Sequence, residues 1–415
     1  MSRRVLLHVG TPKTGTSYLQ DVLYKNRSRL LRQDVLYPAE RFDEHFLAAL
    51  DLMRLRWGGL EAQAVGAWDR LAEQVRAHDG TAIISHEILA SASRSQVARA
   101  LASLGHRPGG DTSDGGTEVH LILSVRDLVR QIPAEWQENV KHRARFGYGR
   151  FLELIQDPDR AHRVGAWFWG VQEIPDILDR WGSDIPPERV HLVTVPPSGG
   201  SPDLLWERFS TTFGLDGLDL KLTTRRANPS LGVPESALIR RINRTAASDL
   251  PPQHYRPLVR ELLAHQTLSK RTKSARLGLP PDQYPWVHEL TESWIAELSR
   301  RGYDVTGDLE DLRGAPAPAG KWVDPDHPPE RQVAAAAVDA IKALLLDNAE
   351  AHAENERLRR KLEAARRELV RARTPRLMRS MEWTVQRLER SGKGRQALGV
   401  YRKARNRVPQ EPQEQ

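Results

Sequence analysis

The chain of 415 residues contains no cysteine. That absence excludes a disulfide framework, a thiol nucleophile and a metal site built on cysteine. No run of eighteen apolar residues occurs, and a strand pattern already begins at Val5, so we expect neither a transmembrane helix nor a signal peptide. We therefore expect a cytoplasmic protein. No histidine pair has clear metal-ligand spacing, so we expect no bound metal. No internal repeat is evident.

The net charge of +8 is unevenly distributed along the chain. Residues 331–415 hold 20 Lys and Arg against 11 Asp and Glu, which leaves the preceding part close to neutral. A segment rich in proline and glycine, 313–330, precedes this basic region and is typical of a linker. The predicted organisation is a domain at 1–312 (mostly helical over 233–312), the linker, a long helix at 331–373 and a basic helical tail at 374–415.

Strand and helix patterns alternate along the first part of the chain. Apolar runs predict strands at 4–9, 81–86, 118–125 and 189–195. Amphipathic patterns between and around them predict helices, which include 16–32, 127–141, 167–182 and 202–214. This alternation predicts an α/β fold with a mostly parallel sheet flanked by helices.

The loop after the first strand has the composition of an anion site. Gly10 and Gly15 bound a short turn between the strand and a helix that begins near Thr16. Backbone N–H groups and a helix N-terminus both attract anions, and Thr16 and Ser17 add hydroxyl groups. Lys13 adds a full positive charge. The pattern indicates a phosphate site, and a simple strand-to-helix turn is the alternative reading.

The spacing of the two glycines is that of a Walker A loop, but Thr16 stands where that motif has its lysine. The segment Pro12-Lys13-Thr14-Gly15-Thr16-Ser17 instead resembles the 5′-phosphosulfate loop of sulfotransferases that use 3′-phosphoadenosine-5′-phosphosulfate (PAPS). The resemblance implies a P-loop NTPase-like parallel sheet. It also implies that Pro12, Lys13, Thr14, Gly15, Thr16 and Ser17 bind PAPS, with Lys13 as a catalytic residue at the leaving phosphate oxygen.

A second segment fits the 3′-phosphate motif of the same family. The strand 119–125 ends at Arg126-Asp127, and Trp136 provides the aromatic residue that the motif has ten positions after the arginine. Leu128 replaces the usual proline, and Ala134 stands where the family has a serine that binds the 3′-phosphate. The planar guanidinium of Arg126 suits bidentate phosphate binding. We expect Arg130 or Gln137 to replace the missing serine, or PAPS to bind less tightly. An ordinary ion pair between Arg126 and Asp127 is the alternative.

A third segment, Thr224 to Gly232, is a loop with two adjacent arginines. Its position after the second motif resembles the basic loop that closes over the 3′-phosphate in sulfotransferases, which assigns Arg225 and Arg226 to PAPS binding. A solvated basic patch is the alternative. The resemblance runs from about residue 4 to about residue 245.

The acceptor side is indicated by the strand that ends at Ser85-His86-Glu87. Ligands collect at the carboxyl ends of parallel strands. Ser85-His86 resembles the pair at the end of the corresponding strand in cytosolic sulfotransferases, where the histidine is the general base, although Ile84 replaces the lysine found before that pair. Glu87 is the rival base, because carbohydrate sulfotransferases often use a glutamate; on a strand the two side chains would point to opposite faces. Polar segments that contain Glu40, His45 and Lys141 are further candidates for the acceptor cleft.

These features together favour a bacterial PAPS-dependent sulfotransferase that acts on a hydroxyl or amine of a carbohydrate, a glycolipid or a small metabolite. Two alternatives stay open. One is a nucleotide-dependent small-molecule kinase, although no Walker B aspartate is evident. The other is a catalytically degenerate nucleotide-binding protein that acts through its C-terminal helix, for which Ile84 and Ala134 are the best arguments.

The C-terminal helix carries heptads in which positions a and d are mostly apolar or small. Positions a are Ile341, Asn348, Asn355, Leu362 and Leu369, and positions d are Leu344, Ala351, Leu358, Ala365 and Ala372. This pattern predicts a homodimer through 341–372, and a single solvated or packed helix is the alternative. The basic stretch 374–408, which includes Trp383, is predicted either to lie on an anionic membrane or to form a solvated helical hairpin. Nucleic-acid binding has no supporting motif.

Overall fold

A computed structural model describes residues 4–112, 115–201, 203–223, 230–246, 248–373 and 376–405. For residues 371, 373, 376–380, 404 and 405 it describes the backbone alone. The chain divides into two compact units, Met1–Ala343 and Leu344–Gln415.

The first unit is built on a six-stranded sheet in which every strand pair is parallel. The strands are β1 (Arg4–His8), β2 (Val35–Leu36), β3 (Thr81–Ser85), β4 (Glu118–Val125), β5 (Val190–Thr194) and β6 (Asp304–Thr306). Their spatial order is β2-β3-β1-β4-β5-β6. The chain therefore extends the sheet from β1 in both directions, and the carboxyl end of β1 is a topological switch point, where parallel sheets bind ligands.

Helices cover the sheet. The helices of the first unit are α1 (Thr16–Leu31), α2 (Glu44–Met53), α3 (Glu61–Ala64), α4 (Ala67–Ala77), α5 (Arg94–Ser103), α6 (Leu128–Lys141), α7 (Tyr148–Gln156), α8 (Arg163–Gln172), α9 (Ile174–Trp181), α10 (Leu204–Phe213), α11 (Val233–Ala246), α12 (Pro252–Tyr255) and α13 (Tyr284–Leu298). A π-helical segment, Arg256–Thr267, follows α12. Further along the chain lie α14 (Glu330–Arg373), α15 (Arg376–Glu389) and α16 (Gly392–Arg405).

The central strands are mostly apolar because both faces of the sheet are covered. Alternate residues of β1 point to opposite faces: Val5 and Leu7 belong to one core cluster and Leu6 to the other. The second cluster also contains apolar residues of α1 and α10, including Leu19 and Phe209. The helices therefore hold the sheet on both sides and leave its carboxyl edge for the loops.

This architecture confirms the predicted α/β class, with a parallel sheet flanked by helices and a helical C-terminal region. Two details differ from the sequence analysis. The interval 233–312, predicted to be mostly helical, also supplies the edge strand β6. The single helix predicted at 167–182 is two helices, α8 and α9, because Pro175 begins a new helix at its first turn.

The segment rich in proline and glycine packs on the first unit. Asp326 accepts hydrogen bonds from the N–H groups of Tyr148 and Gly149, each at 2.9 Å, and pairs with Arg240 at 3.0 Å. The first turns of α14 are also buried there, through Val333 and Ala336. Residues 313–343, which the sequence assigns to a linker and to the start of the long helix, thus belong to the first compact unit.

In the second unit, α15 and α16 form a helical hairpin. Its turn is held by the Ser391 side chain, which accepts from the Gly394 N–H at 3.0 Å, and Arg402 pairs with Glu389 at 2.9 Å across the hairpin. Among the described residues, no helix is long and apolar enough to cross a bilayer.

Candidate functional site

The loop after β1 is fastened to the neighbouring strand β4. The Thr11 N–H donates to the Ser124 carbonyl at 2.8 Å, and the Ser124 N–H donates to the Gly10 carbonyl at 2.6 Å. Gly10 has a φ of 127°, and a Cβ there would come within 2.8 Å of the Glu87 carbonyl oxygen. A glycine is therefore required where the loop passes the end of β3.

The backbone of this loop presents a row of donors. Lys13 and Gly15 have positive φ angles of 67° and 93°, and α1 begins immediately afterwards. Among the residues that the structure describes, none accepts a hydrogen bond from the N–H groups of residues 13–17. Five consecutive donors at a helix N-terminus form a concave anion site of the kind that holds phosphate.

A buried hydrogen-bond network lies beneath the loop and links three strands. The His8 ring contacts the Ser85 hydroxyl at 2.8 Å and the Ser124 hydroxyl at 2.9 Å. The Thr14 hydroxyl lies 2.6 Å from that of Ser124 and donates to the Thr11 carbonyl. Burial lowers the pKa of His8 to about 4, so the ring is neutral at pH 7. The Thr14 side chain thus braces the loop from below, and only its backbone N–H is available to a ligand.

The Lys13 side chain forms an ion pair with Glu138 of α6. Both side chains are mostly buried, with 17% and 18% of their surface exposed. Glu138 also lies 3.2 Å from Arg260, 3.1 Å from His142 and 3.8 Å from Lys141. One carboxylate therefore holds four basic side chains at the mouth of the loop.

Two further groups of α6 have shifted pKa values. Burial raises the pKa of Glu135 to about 7, with Lys13 opposing the shift, and Gln172 donates to its carboxyl at 3.1 Å. Burial lowers the pKa of Lys141 to about 8, with Glu138 opposing. Titratable groups with such shifts beside an anion site are typical of a functional site.

Arg126 lies at the end of β4, one strand away from the loop. Its guanidinium donates to the Lys13 carbonyl at 3.1 Å, and its buried Nε has no partner among the described residues. Burial lowers the pKa of Arg126 to about 10, which leaves the group charged at pH 7. Arg126 therefore places a mostly buried positive charge beside the loop, and its planar guanidinium has the geometry that binds phosphate.

Both residues expected to replace the serine at Ala134 already have hydrogen-bond partners within the protein. Arg130 donates to the Asp127 carboxylate and to the Pro196 carbonyl. Gln137 is fully engaged with the backbone N–H and carbonyl of Leu231 at 2.9 Å each. Both side chains are engaged with the fold in this structure, and the expectation that Arg130 or Gln137 supplies the missing contact stays a prediction, beside the alternative that PAPS binds less tightly.

His86 and Glu87 lie side by side rather than on opposite faces. The strand ends at Ser85, and Glu87 begins a short 3₁₀ helix, so the alternation of a strand does not apply. The His86 Nδ1 is 4.0 Å from the Glu87 carboxylate and accepts from the Ile88 N–H at 3.3 Å. Burial lowers the pKa of His86, and the nearby Glu87 carboxylate opposes this shift. Burial alone would raise the pKa of Glu87. The interaction with His86 and a hydrogen bond from Gln20 outweigh that effect and bring the pKa of Glu87 below its ordinary value.

An aromatic wall extends from His86 towards Glu138. The His86 ring stacks on Phe46 with centroids 5.2 Å apart, and Phe46 contacts Trp57 at 5.7 Å. Trp57 contacts both Trp167 and His142 at 6.0 Å. This wall joins the candidate base to the basic cluster.

Of the three further cleft candidates, only Lys141 lies in this cluster. His45 is buried as a support of the sheet: it accepts from the Ser85 N–H at 3.1 Å and bonds to the Pro38 carbonyl at 3.1 Å. Glu40 is exposed and accepts a hydrogen bond from Tyr24 through its backbone carbonyl.

Arg225 and Arg226 lie outside the described residues. The flanking residues are anchored to the two helices of the site: the Thr223 carbonyl accepts from Lys25 of α1 at 3.1 Å, and the Leu231 N–H donates to Gln137 of α6. Their role stays a prediction.

The sequence analysis missed Glu135, Glu138 and the aromatic wall. A signal for the two glutamates was present, because Gln131, Glu135, Glu138 and His142 follow one another at helical spacing from the Arg126 motif and so share one face of α6. The aromatic residues come from distant segments, and no local pattern brings Phe46, Trp57 and Trp167 together.

Comparisons with known proteins are sparse. No family model matches the sequence, and no curated protein matches it. Among solved structures, the crystal structure of a sulfotransferase from Alicyclobacillus acidocaldarius is similar, with 15% sequence identity and a TM-score of 0.37. The similarity covers 62% of this chain and 96% of that one. A likeness of this strength does not establish a family.

Proposed function

We propose that this chain is a sulfotransferase that moves a sulfuryl group from PAPS to a hydroxyl or amine of a carbohydrate, a glycolipid or a small metabolite. The observation that carries the proposal is the row of N–H groups at residues 13–17, for which no acceptor lies among the described residues, beside two cationic side chains, Lys13 and Arg126. A ligand with phosphate groups at two positions matches a site with two separate sources of positive charge.

The residues present fit such a donor. Its 5′ end would be held by the N–H groups of residues 13–17, by Lys13 and by the hydroxyl groups of Thr16 and Ser17. Its 3′-phosphate would be held by Arg126, whose buried Nε has no other partner among the described residues. Arg225 and Arg226 are proposed to assist, as the sequence resemblance implies.

The reaction breaks the bond between sulfur and the bridging phosphate oxygen and forms a bond between sulfur and the acceptor atom. PAPS supplies the activated sulfuryl group. The protein then has two tasks: to neutralise charge on the leaving phosphate oxygen and to remove the acceptor proton. Lys13 performs the first, which requires it to leave Glu138.

His86 performs the second task, with Glu87 as its partner. With Nδ1 accepting from the Ile88 N–H, the neutral ring carries its proton on Nε2, and such a ring cannot accept a proton there. Base catalysis at Nε2 requires the other tautomer, with the proton on Nδ1. The Glu87 carboxylate, 4.0 Å from Nδ1, stabilises that form. If the tautomer does not change, Glu87 is itself the base.

The kinase alternative needs a carboxylate that can bind Mg²⁺, and Asp127 is the residue best placed to supply one. Asp127 follows β4, beside the loop, but its carboxylate is fully buried and accepts from both the backbone N–H and the side chain of Arg130. A carboxylate engaged in this way is not available to a hydrated metal ion.

The test is calorimetric titration of the full-length protein with adenosine 3′,5′-bisphosphate, with and without Mg²⁺. We expect micromolar binding that does not depend on Mg²⁺ and that Lys13→Ala weakens at least tenfold. Lys342→Ala, which removes an exposed lysine of α14, is the matched control and should bind as wild type does. Absence of binding by the folded protein, or binding that requires Mg²⁺, contradicts the proposal.

A further inference from the structure

The long helix α14 changes its surroundings along its length. Its first turns are buried on the first unit, with Val333, Ala336 and Ala340 at most 4% exposed. Beyond Ala343 the helix continues for 30 residues, a length of about 45 Å at 1.5 Å per residue. An apolar stripe along this part needs a partner, because an isolated helix gains little stability from its own backbone.

The stripe follows the heptad positions a and d. Its large apolar members are far more exposed than core residues, with exposed fractions of 57% for Ile341, 38% for Leu344, 50% for Leu358 and 52% each for Leu362 and Leu369. The intervening positions of the stripe are alanine or asparagine. A repeat of seven residues keeps such a stripe on one side of a helix only when two helices coil around each other.

The charges beside the stripe select the partner and its direction. Positions e are Leu345 in the first heptad and then His352, Arg359, Arg366 and Arg373. Positions g are Asp347, Glu354, Lys361 and Glu368, mostly acidic. In a parallel pair each g faces an e′ of the partner, so Glu354 meets Arg359 and Glu368 meets Arg373, which joins opposite charges, while Lys361 meets Arg366, which joins like charges. In an antiparallel pair e faces e′, which brings the arginines of the two helices together.

We propose that residues 341–372 pair with the same segment of a second copy of this chain as a parallel, in-register coiled coil. Asn348 and Asn355, both at a positions, then face their own counterparts across the seam, where a buried asparagine pair specifies a two-stranded, in-register arrangement. The protein in solution is accordingly a dimer.

The absence of native cysteine allows a direct test by cross-linking of single-cysteine variants of the full chain. Asn348→Cys (position a) and Ala365→Cys (position d) lie near opposite ends of the seam. In a parallel pair each of these cysteines meets its own counterpart at a separation that a disulfide can span. Arg360→Cys, at the outward position f, is the control and meets none. We expect both seam variants to form covalent dimers under mild oxidation at least ten times faster than the control.

A second measurement covers the case in which a cysteine disturbs the seam. Light scattering of the wild type at micromolar concentration should give twice the chain mass of 46.9 kDa. Leu358→Glu together with Leu362→Glu should give a monomer, whereas Leu346→Glu, at position f and 58% exposed, should leave the dimer intact.

Three outcomes overturn the proposal. They are a monomeric wild type, a dimer whose seam variants cross-link no faster than Arg360→Cys, and cross-linking at one seam position only, which indicates an antiparallel pair. Binding of adenosine 3′,5′-bisphosphate is measured separately on each variant, so the result does not depend on the proposed function.

Discussion

Replacing Glu138 by glutamine should tighten the binding of adenosine 3′,5′-bisphosphate. In the structure the Lys13 ammonium is paired with this carboxylate, and Lys13 must give up the pair before it can contact a phosphate. Glutamine keeps the size of the side chain and removes its charge. The variant therefore removes the competitor for Lys13 and leaves the loop and its N–H groups in place.

The magnitude follows from the burial of the pair. Exposed ion pairs contribute about 0.2–1 kcal/mol and breaking a fully buried one costs about 3–5 kcal/mol. With both side chains less than one fifth exposed, the pair of Lys13 and Glu138 lies between these limits, at about 1–2 kcal/mol. Release from it should lower the Kd about 5- to 30-fold.

The assay is calorimetric titration of wild type, Glu138→Gln, Lys13→Ala and the double variant. In the Lys13→Ala background the glutamine substitution should change the Kd by less than about twofold, because the competing pair is already gone. Glu153→Gln, an exposed glutamate on α7, is the matched control. An unchanged or weaker affinity in Glu138→Gln would refute the reasoning, since it would mean that Lys13 does not exchange one partner for the other.

The same substitution should destabilise the fold. Lys141, His142 and Arg260 all lose a carboxylate, so we expect the free energy of unfolding to fall by about 1–3 kcal/mol. Urea unfolding measures this loss, and the titrations are made far below the unfolding midpoint. Tighter binding by a less stable protein separates the effect on Lys13 from general damage.

Three further outcomes are expected. Arg126→Ala should raise the Kd for the bisphosphate at least about 100-fold, because two charge-assisted hydrogen bonds contribute about 1.5–3 kcal/mol each. Arg126→Lys should restore only part of the lost affinity. Equal binding by Arg126→Ala and wild type in calorimetry would remove this residue from the site. Stability should fall as the pH decreases from 6.5 towards 4, because burial lowers the pKa of both His8 and His45 from 6.5 to about 4 while their unfolded forms already take up protons. Each histidine contributes a loss of about 1.5 kcal/mol between pH 6.5 and 5, and His45→Gln should remove about half of their joint contribution to the pH dependence measured by urea unfolding. Asp326→Ala should lower the free energy of unfolding by about 2–3 kcal/mol, because two backbone donors at the start of α7 and the Arg240 guanidinium lose their acceptor. Asp159 is an exposed aspartate beyond the end of that helix, and Asp159→Ala should stay within about 0.5 kcal/mol of wild type.

Local patterns were sufficient for most of the fold. Apolar runs predicted β1, β3, β4 and β5 because strands covered on both faces are mostly apolar. The edge strands β2 and β6, of two and three residues, were not predicted, since so short a segment pairs only because a neighbouring strand is already in place. Pro175 gave a local signal for the division between α8 and α9 that the helical pattern around it obscured.

The sequence by itself determined the parts of the site that lie within one segment: the glycine-bounded loop with Lys13, the arginine at the end of β4, and the histidine and glutamate after β3. Backbone conformation and strand ends are local properties, and the parallel sheet brings strand ends to one edge. Only the tertiary structure decided which polar groups are free. Thr14 is bound beneath the loop, Gln137 is bound to Leu231, Lys13 is paired with Glu138, and the buried Arg126 Nε lacks a partner among the described residues. The physical reason is that hydrogen bonds and ion pairs form between whichever groups the packing brings together, and these partners lie between 94 and 125 residues apart in the chain.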